Sequence, residues 1–113
     1  MASHRLLVFT DAVEGRESDY NDWYNGIHLR EVLELPGFVG AQRFSVSAAL
    51  PGSEAPRQKY LAVYEIEADD LDAALKGLSE ATPSMTISDA LDRSSVTAYT
   101  VTALGSRVGG GST

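Results

Sequence analysis

The sequence predicts a single α+β domain whose elements follow the order β-α-β-β-α-β. Four segments are rich in the aliphatic, β-branched and aromatic residues of strands, and two carry helical spacing. Glycine and proline separate them, and 113 residues suit one domain. Two split β-α-β units in this order form a four-stranded antiparallel sheet with both helices on one face, the ferredoxin-like arrangement.

The first strand and the first helix are the most clearly patterned elements. The strand covers residues 5–10, a dense apolar run. After a charged loop, a helix is predicted over about 17–34, with Ser18 as a candidate N-cap or first-turn residue. Pro36 and Gly37 end it, because a residue before proline avoids the α region.

The remaining elements follow from the same signals. They are a strand over 38–48, an exposed loop over 50–58, a strand over 59–68, a short helix capped by Asp69 or Asp70 and broken at 82–84, a further helical turn over 85–91, and a strand over 94–104. Residues 1–104 thus form the predicted domain. Residues 105–113 form a Gly/Ser-rich tail without a packing pattern.

The predicted strands carry apolar residues on both of their faces. Two helices cover one face of such a sheet, which leaves the other face without a cover. A second copy that packs sheet to sheet is the simplest cover. We therefore expect a homodimer.

Composition narrows the classes of partner. The chain is 43% hydrophobic and 22% charged, as soluble domains are, and its net charge of −7 argues against a nucleic-acid or anionic-membrane partner. No apolar run approaches the roughly 18 residues of a membrane span, and the start lacks a signal-peptide core. The chain contains no cysteine, so we expect a cytoplasmic protein without disulfides.

Motif searches favour a site without a cofactor. The glycines form no dinucleotide-binding or Walker pattern, and no Gly-x-Ser-x-Gly elbow occurs. His4 and His28, the two histidines, lie in different elements, so a multi-histidine metal site is not expected. We predict neither a metal nor a cofactor.

The first helix carries the most unusual pattern. At 100° per residue, one side collects aromatic and polar groups with His28 at its margin, while Leu29, Val32 and Leu33 point the other way. The members of this side are Tyr20, Trp23, Tyr24, Ile27, Glu31 and Glu34. Four groups, Tyr20, Tyr24, His28 and Glu31, stand four, four and three residues apart, so neighbours can touch. This mixture suits a semi-apolar cleft between helix and sheet.

His28 is the candidate catalytic residue. Imidazole titrates near neutral pH and can take and return a proton, while Glu31 one turn away can fix its tautomer. Tyr24 is a further candidate in the catalytic set. The alternative for His28 is a structural histidine that bonds to a tyrosine or stays half exposed.

Five more residues are candidates for contact with a substrate. Arg43, in the middle of a strand, can neutralise a carboxylate or enolate, or can instead pair with Glu31 or Glu65 or face solvent. Tyr20 and Trp23 are candidate walls of the cleft, although a residue such as Trp23 more often belongs to a core or an interface. Tyr64 and Tyr99 lie on strands, where only a hydroxyl directed into the cleft would contribute.

Three segments of the sequence resemble the dimeric α/β-barrel superfamily, and most closely its EthD-like members. They are the run that begins Asp22-Trp23-Tyr24-Asn25-Gly26-Ile27-His28, then Leu35-Pro36-Gly37-Phe38, and then Ala41-Gln42-Arg43-Phe44. The resemblance spans about residues 5–104. It implies a cleft-facing histidine at His28, cleft walls at Trp23 and Tyr24, and a possible anion contact at Arg43. The superfamily includes cofactor-free cyclases, isomerases and monooxygenases, and haem-binding enzymes.

These observations together predict a cofactor-independent enzyme that moves a proton on a small aromatic, polyketide-like or carbonyl-bearing compound. Cyclisation, isomerisation, dehydration or another lyase step would suit it, with His28 as general acid/base. One alternative is a cofactor-free monooxygenase of aromatic substrates. Others are a dimeric small-ligand-binding or stress-responsive protein without turnover, and a haem protein with His28 as axial ligand.

Overall fold

A computed structural model describes residues 3–111 of the chain. Its strands are β1 (Ser3–Ala12), β2 (Phe38–Ser45), β3 (Tyr60–Glu67) and β4 (Leu91–Thr102). The helical segments are α1 (Glu17–Trp23), a π turn (Tyr24–His28), α2 (Leu29–Leu33), α3 (Leu71–Ala81) and a 3₁₀ turn (Thr82–Ser84). Because α1, the π turn and α2 are continuous, we call residues 17–33 the long helix. The predicted βαββαβ order is confirmed.

The four strands form one sheet in the order β2-β3-β1-β4, with every neighbouring pair antiparallel. The long helix and α3 both pack on one face of this sheet. That face carries the core, which the alternation of side chains along each strand separates from the other face. The buried apolar residues are Leu6, Tyr20, Trp23, Tyr24, Val32, Phe38, Ala62, Tyr64, Ile66, Ala74 and Ala90.

Among residues 3–111, no helix packs on the second face of the sheet, and we call it the open face. Part of the loop between β2 and β3, with Pro56, Arg57 and Gln58, lies beside Phe9 and Tyr99 on this face. Its apolar side chains alternate with the core residues in the strand register. They are Leu7, Phe9, Phe44, Leu61, Val63, Tyr99 and Val101. Tyr99 is 60% exposed and packs edge to face against Phe9, with ring centroids 6.4 Å apart.

One of the two predicted caps of the second helix is confirmed, whereas the helical turn predicted after it is not. Asp70 caps α3, since the backbone N–H of Ala73 donates to its carboxylate at 3.0 Å. The helical turn predicted over 85–91 was wrong. Met85 is extended, and Leu91 already pairs with Ala12 as the first residue of β4.

The end of the described chain lies outside these elements. Residues 103–111 contain neither helix nor strand and are exposed, and residues 112–113 of the predicted tail fall outside the described range. Between residues 3 and 111, the helices are all too short or too polar to cross a membrane.

Candidate functional site

A π turn determines which side chains of the long helix face the sheet. The backbone N–H of Leu29 bonds to the carbonyl of Tyr24, five residues earlier, so this turn holds more residues than an α-helical one. The side chains that follow this turn therefore point in other directions than 100° per residue predicts. Val32, expected on the outer side, is buried, and Ile27, expected on the cleft side, is 43% exposed. His28 moves from the margin to a cavity-lining position.

A half-open cavity of about 380 Å³ lies between the long helix, the C-terminal part of α3 and the sheet. Its wall is mainly aliphatic and aromatic, with a few polar groups. The lining residues are Leu6, Val8, Thr10, Trp23, Tyr24, His28, Val32, Tyr64, Leu78, Thr82, Ile87, Leu91, Arg93, Val96 and Ala98. Four of them, Thr82, Arg93, Val96 and Ala98, are solvent-exposed and define the mouth of the cavity. Apolar pockets with few polar groups are the usual form of a small-molecule site.

His28 lies between two aromatic rings. Its imidazole stacks on Trp23, with ring centroids 4.8 Å apart and an interplanar angle of 24°, and meets Tyr24 edge-on at 5.1 Å. Its side chain is only 16% exposed. This burial lowers the pKa of His28 below its usual value, and Glu31 opposes part of the shift. Burial therefore favours the neutral imidazole, which is the form that can accept a proton.

Glu31 is the carboxylate next to His28. His28 Nδ1 lies 3.5 Å from Glu31 Oε1, and neither atom makes a hydrogen bond with the described residues. The predicted contacts along the ladder of Tyr20, Tyr24, His28 and Glu31 are thus present, since the Tyr20 and Tyr24 rings also meet, at 5.6 Å. The carboxylate is placed to orient the ring and to stabilise its charged form.

Two hydrogen bonds tie the backbone of Thr86 to the long helix. The Thr86 N–H donates to Glu31 Oε2 at 2.8 Å, and Trp23 Nε1–H donates to the Thr86 carbonyl at 2.7 Å. They fix the side chains on either side of His28 and hold the loop that carries Ile87 against the cavity. Sequence reasoning missed this arrangement, because Thr86 is 55 residues from Glu31 and carries no local signal.

The tyrosine hydroxyls form a short chain on the cavity wall. Tyr64 donates a long hydrogen bond to the Tyr24 oxygen at 3.5 Å, which leaves the Tyr24 proton available to a ligand. Burial raises the pKa of Tyr24 to about 12, and it raises that of Tyr64 as well. Both therefore stay protonated at neutral pH. Tyr20 is fully buried, bonds to Thr10 and does not line the cavity.

Arg43 is not in the cavity wall, although it lies on the helix-covered face. Its guanidinium donates to the side-chain oxygens of Asn21 at 2.9 Å and Asn25 at 3.0 Å, and lies 4.5 Å from the centre of the Tyr24 ring. It makes no ion pair with Glu31 or any other described carboxylate. The structure thus places Arg43 behind Tyr24.

Tyr99, also predicted as a contact residue, lies on the opposite face of the sheet from this site. It belongs to the open face and does not line the cavity. The site therefore brings together His28, Glu31, Trp23, Tyr24 and Tyr64, with Tyr20 and Arg43 packed behind them. Among residues 3–111, no cluster of three His, Asp or Glu side chains could hold a metal ion.

Comparison with known proteins gives matches only among solved structures. No protein-family model matches this chain, and no curated protein is significantly similar to it. A protein from Shewanella loihica PV-4 that is provisionally named a monooxygenase is 11% identical with a TM-score of 0.58, covering 93% of this chain and 97% of its own. An EthD family protein from Bacillus halodurans C-125 is 12% identical with a TM-score of 0.59, covering 94% of this chain and 99% of its own.

A third solved structure extends the comparison. HapK from Hahella chejuensis is 19% identical with a TM-score of 0.52, covering 98% of this chain and 100% of its own. Identities this low establish a common fold and nothing finer. The chain has the ferredoxin-like α+β fold of these proteins, and the expected resemblance to EthD-like proteins is confirmed at the level of that fold.

Proposed function

We propose that this chain is a cofactor-independent enzyme that transfers a proton on a small aromatic, polyketide-like or otherwise carbonyl-bearing compound. One observation carries the proposal: a largely buried His28, whose pKa burial lowers below its usual value, lines an apolar cavity of about 380 Å³. A neutral imidazole is the form that accepts a proton. The apolar wall suits an aromatic body and excludes water from the reacting group.

The proposed reaction begins with proton abstraction beside a carbonyl group. His28 takes the proton, and the resulting imidazolium is stabilised by the Glu31 carboxylate 3.5 Å away. The enolate oxygen accepts a hydrogen bond from the Tyr24 hydroxyl, whose proton Tyr64 leaves free. The imidazolium then returns the proton to a different atom. Cyclisation, isomerisation and dehydration all share this sequence.

Arg43 takes an indirect part in this scheme. It was predicted as an anion contact, but Tyr24 stands between it and the cavity. Its positive charge lowers the pKa of Tyr24, although burial outweighs this effect. Arg43 is therefore a positioning residue that improves Tyr24 as a hydrogen-bond donor.

Hydrogen exchange tests the proposal without knowledge of the natural substrate. A panel of aromatic ketones is incubated with the protein in deuterated water, and deuterium next to the carbonyl is followed by NMR. Removal of a general base typically lowers a rate about 10²–10⁴-fold, and we expect a loss of that order for His28→Gln. His4→Gln is the matched control, since His4 bonds to Thr102 outside the cavity. Equal exchange in the wild type and a folded His28→Gln protein would contradict the proposal.

Oxygenation of an aromatic substrate is the second candidate. The favouring observation is that one solved structure with this fold is provisionally named a monooxygenase. A neutral His28 would deprotonate a phenolic substrate, and the electron-rich anion would react with dioxygen. Oxygen uptake in the presence of polyhydroxylated aromatics distinguishes the two reactions, because proton transfer consumes no oxygen. Ligand binding with neither deuterium exchange nor oxygen uptake would favour a binding protein without turnover.

A homodimer through the open face is part of the proposal. This face carries seven apolar side chains, and three of them, Phe44, Tyr99 and Val101, are more than 40% exposed in one copy of the chain. Contiguous apolar surface of this kind marks an interaction site, and a two-fold interface lets the same patch pack on itself.

A further inference from the structure

An irregularity in β4 changes which of its residues face the cavity. Two steps along β1, from Phe9 to Asp11, correspond to five steps along β4, from Thr97 to Asp92, so β4 carries three extra residues there. Such bulges redirect side chains and are frequent next to functional sites. On one side of the irregularity, odd-numbered Leu91 and Arg93 line the cavity. On the other side, the even-numbered Val96 and Ala98 do so. Arg93 lines the mouth of the cavity because the irregularity changes which residues of β4 face the helices.

Arg93 is the one permanently charged residue among those that line the cavity. No carboxylate lines the same wall, and Arg93 makes no ion pair with any residue in the described range 3–111. The chain as a whole has a net charge of −7, so the positive charge at the mouth of the cavity is opposite in sign to that of the protein. The other lining groups offer apolar contact or neutral hydrogen bonds.

We propose that Arg93 determines the specificity of the cavity by binding an anionic group on the ligand. The ligand class is an aromatic compound with an acidic substituent, such as a carboxylate, whose ring system fills the cavity while the anion stays at the mouth. The planar guanidinium matches a carboxylate in two-point geometry, and it remains partly hydrated there. This proposal rests on the proposed function, since it names the substrate class of the same cavity.

Two fluorescent probes with the same aromatic body separate the anionic contact from the apolar one. Anilinonaphthalene sulfonate carries a sulfonate, whereas N-phenylnaphthylamine is neutral. Binding of each is titrated against the wild type, Arg93→Gln and Arg107→Gln, the last being a charge-matched control in the exposed segment after β4. We expect Arg93→Gln to bind the sulfonate probe about three- to tenfold more weakly than the wild type does, as for loss of a charge-assisted contact at a partly exposed site. The affinity of Arg93→Gln for the neutral probe should stay within about twofold of the wild type's. Arg107→Gln should bind both probes as the wild type does.

Salt gives an independent readout. Because a solvated ion pair is screened, added salt should weaken binding of the sulfonate probe to the wild type more than to Arg93→Gln. The neutral probe should show no such difference. A structural role of Arg93 would not produce this pattern.

The outcomes separate this proposal from the function on which it rests. Equal loss of both probes in Arg93→Gln, or no loss of either, overturns the role of Arg93 while leaving the cavity as a binding site. Ala98→Trp is the blocking variant, because it fills the mouth from an exposed position on β4. If both probes bind the folded Ala98→Trp protein as they bind the wild type, the cavity is not their site, and the proposed function fails first.

Discussion

The two faces of the sheet are built from the same four strands but have different surroundings. On the helix-covered face, Tyr64 is 2% exposed, and its hydroxyl takes part in the hydrogen-bonded wall of the cavity. On the open face, Tyr99 is 60% exposed and meets one aromatic neighbour. Both are tyrosines in strands, and both were candidates for contact with a substrate. Their difference comes from the helices, which cover one face only.

This comparison shows how one apolar sheet can serve two purposes. The helix-covered face completes its core within the chain and leaves a cavity beside His28, where the polar groups are few and fixed. On the open face, the polar side chains of Arg5, Gln42 and Glu65 share a shallow pocket with Phe44 and Val63, and a second copy of the chain is the cover that we propose. Catalysis and association would then use opposite sides of the same strands.

The largest expected effect comes from truncating one tyrosine on each face. Tyr64→Ala should lower the free energy of unfolding by about 3–5 kcal/mol, because it empties a buried aromatic site. Tyr99→Ala should cost the monomer less than about 1 kcal/mol, since its ring is already largely in water. Urea denaturation at a protein concentration where sedimentation shows only monomer measures both. Similar losses would show that the two faces are equally buried and would contradict the comparison.

The next effect concerns association through the open face. Tyr99→Lys places a charge within the apolar surface that we expect to be shared, and it should raise the dimer dissociation constant at least about tenfold, as for loss of an interface anchor. Ile27→Lys is the control, because Ile27 is an exposed apolar residue on the long helix. Sedimentation at micromolar concentration measures the mass of each. A wild-type monomer would refute the homodimer.

A smaller effect is expected where Glu31 joins the helix to the cavity loop. Glu31→Gln keeps the size of the side chain but weakens the charge-assisted bond from the Thr86 N–H, at a cost of about 1–2 kcal/mol. It also removes the charge that raises the pKa of His28, so the acid limb of the rate profile should move to lower pH. The exposed Glu34→Gln is the matched control. An unchanged acid limb in a folded Glu31→Gln protein would exclude Glu31 as the partner of His28.

The smallest effect is the pH dependence of stability. Burial holds the pKa of His28 in the folded state below its unfolded value of about 6.5, so below that pH the unfolded chain binds more protons. The contribution of the neutral imidazole is therefore complete above pH 6.5 and is lost as the pH falls through the folded pKa. Denaturation of the wild type and His28→Gln across this interval should show the steeper decline in the wild type. Parallel curves would argue against a buried, neutral His28.

Local signals in the sequence account for most of the fold. Alternating apolar residues marked the strands, the Pro36-Gly37 pair ended the long helix, and Asp70 was one of two predicted caps. These features depend on neighbours within a few residues, which is why they are visible without a structure. The helical turn expected at 85–91 failed because Thr86 bonds to Trp23 and Glu31, which lie far away in the chain.

The site was only partly predictable for the same physical reason. The ladder from Tyr20 to Glu31 follows from spacing, but the π turn adds residues to one turn and brings Val32 into the core. Gly26, inside that turn, was the available signal, since glycine is unfavourable in a regular helix. Arg93 gave no signal at all, because its direction depends on an irregularity in the pairing of β4 with β1.

The central claim is that a neutral His28 faces a ligand-binding cavity, and the NMR signals of the histidine rings test it most directly. The chain contains only His4 and His28, so two ring signals can be assigned with His28→Gln. We predict that the His28 signal titrates with a pKa below 6.5 and shifts when neutral N-phenylnaphthylamine is added, while the His4 signal does not respond to the probe. Probe binding that leaves the His28 signal unchanged, or titration of His28 above 6.5, would contradict the account.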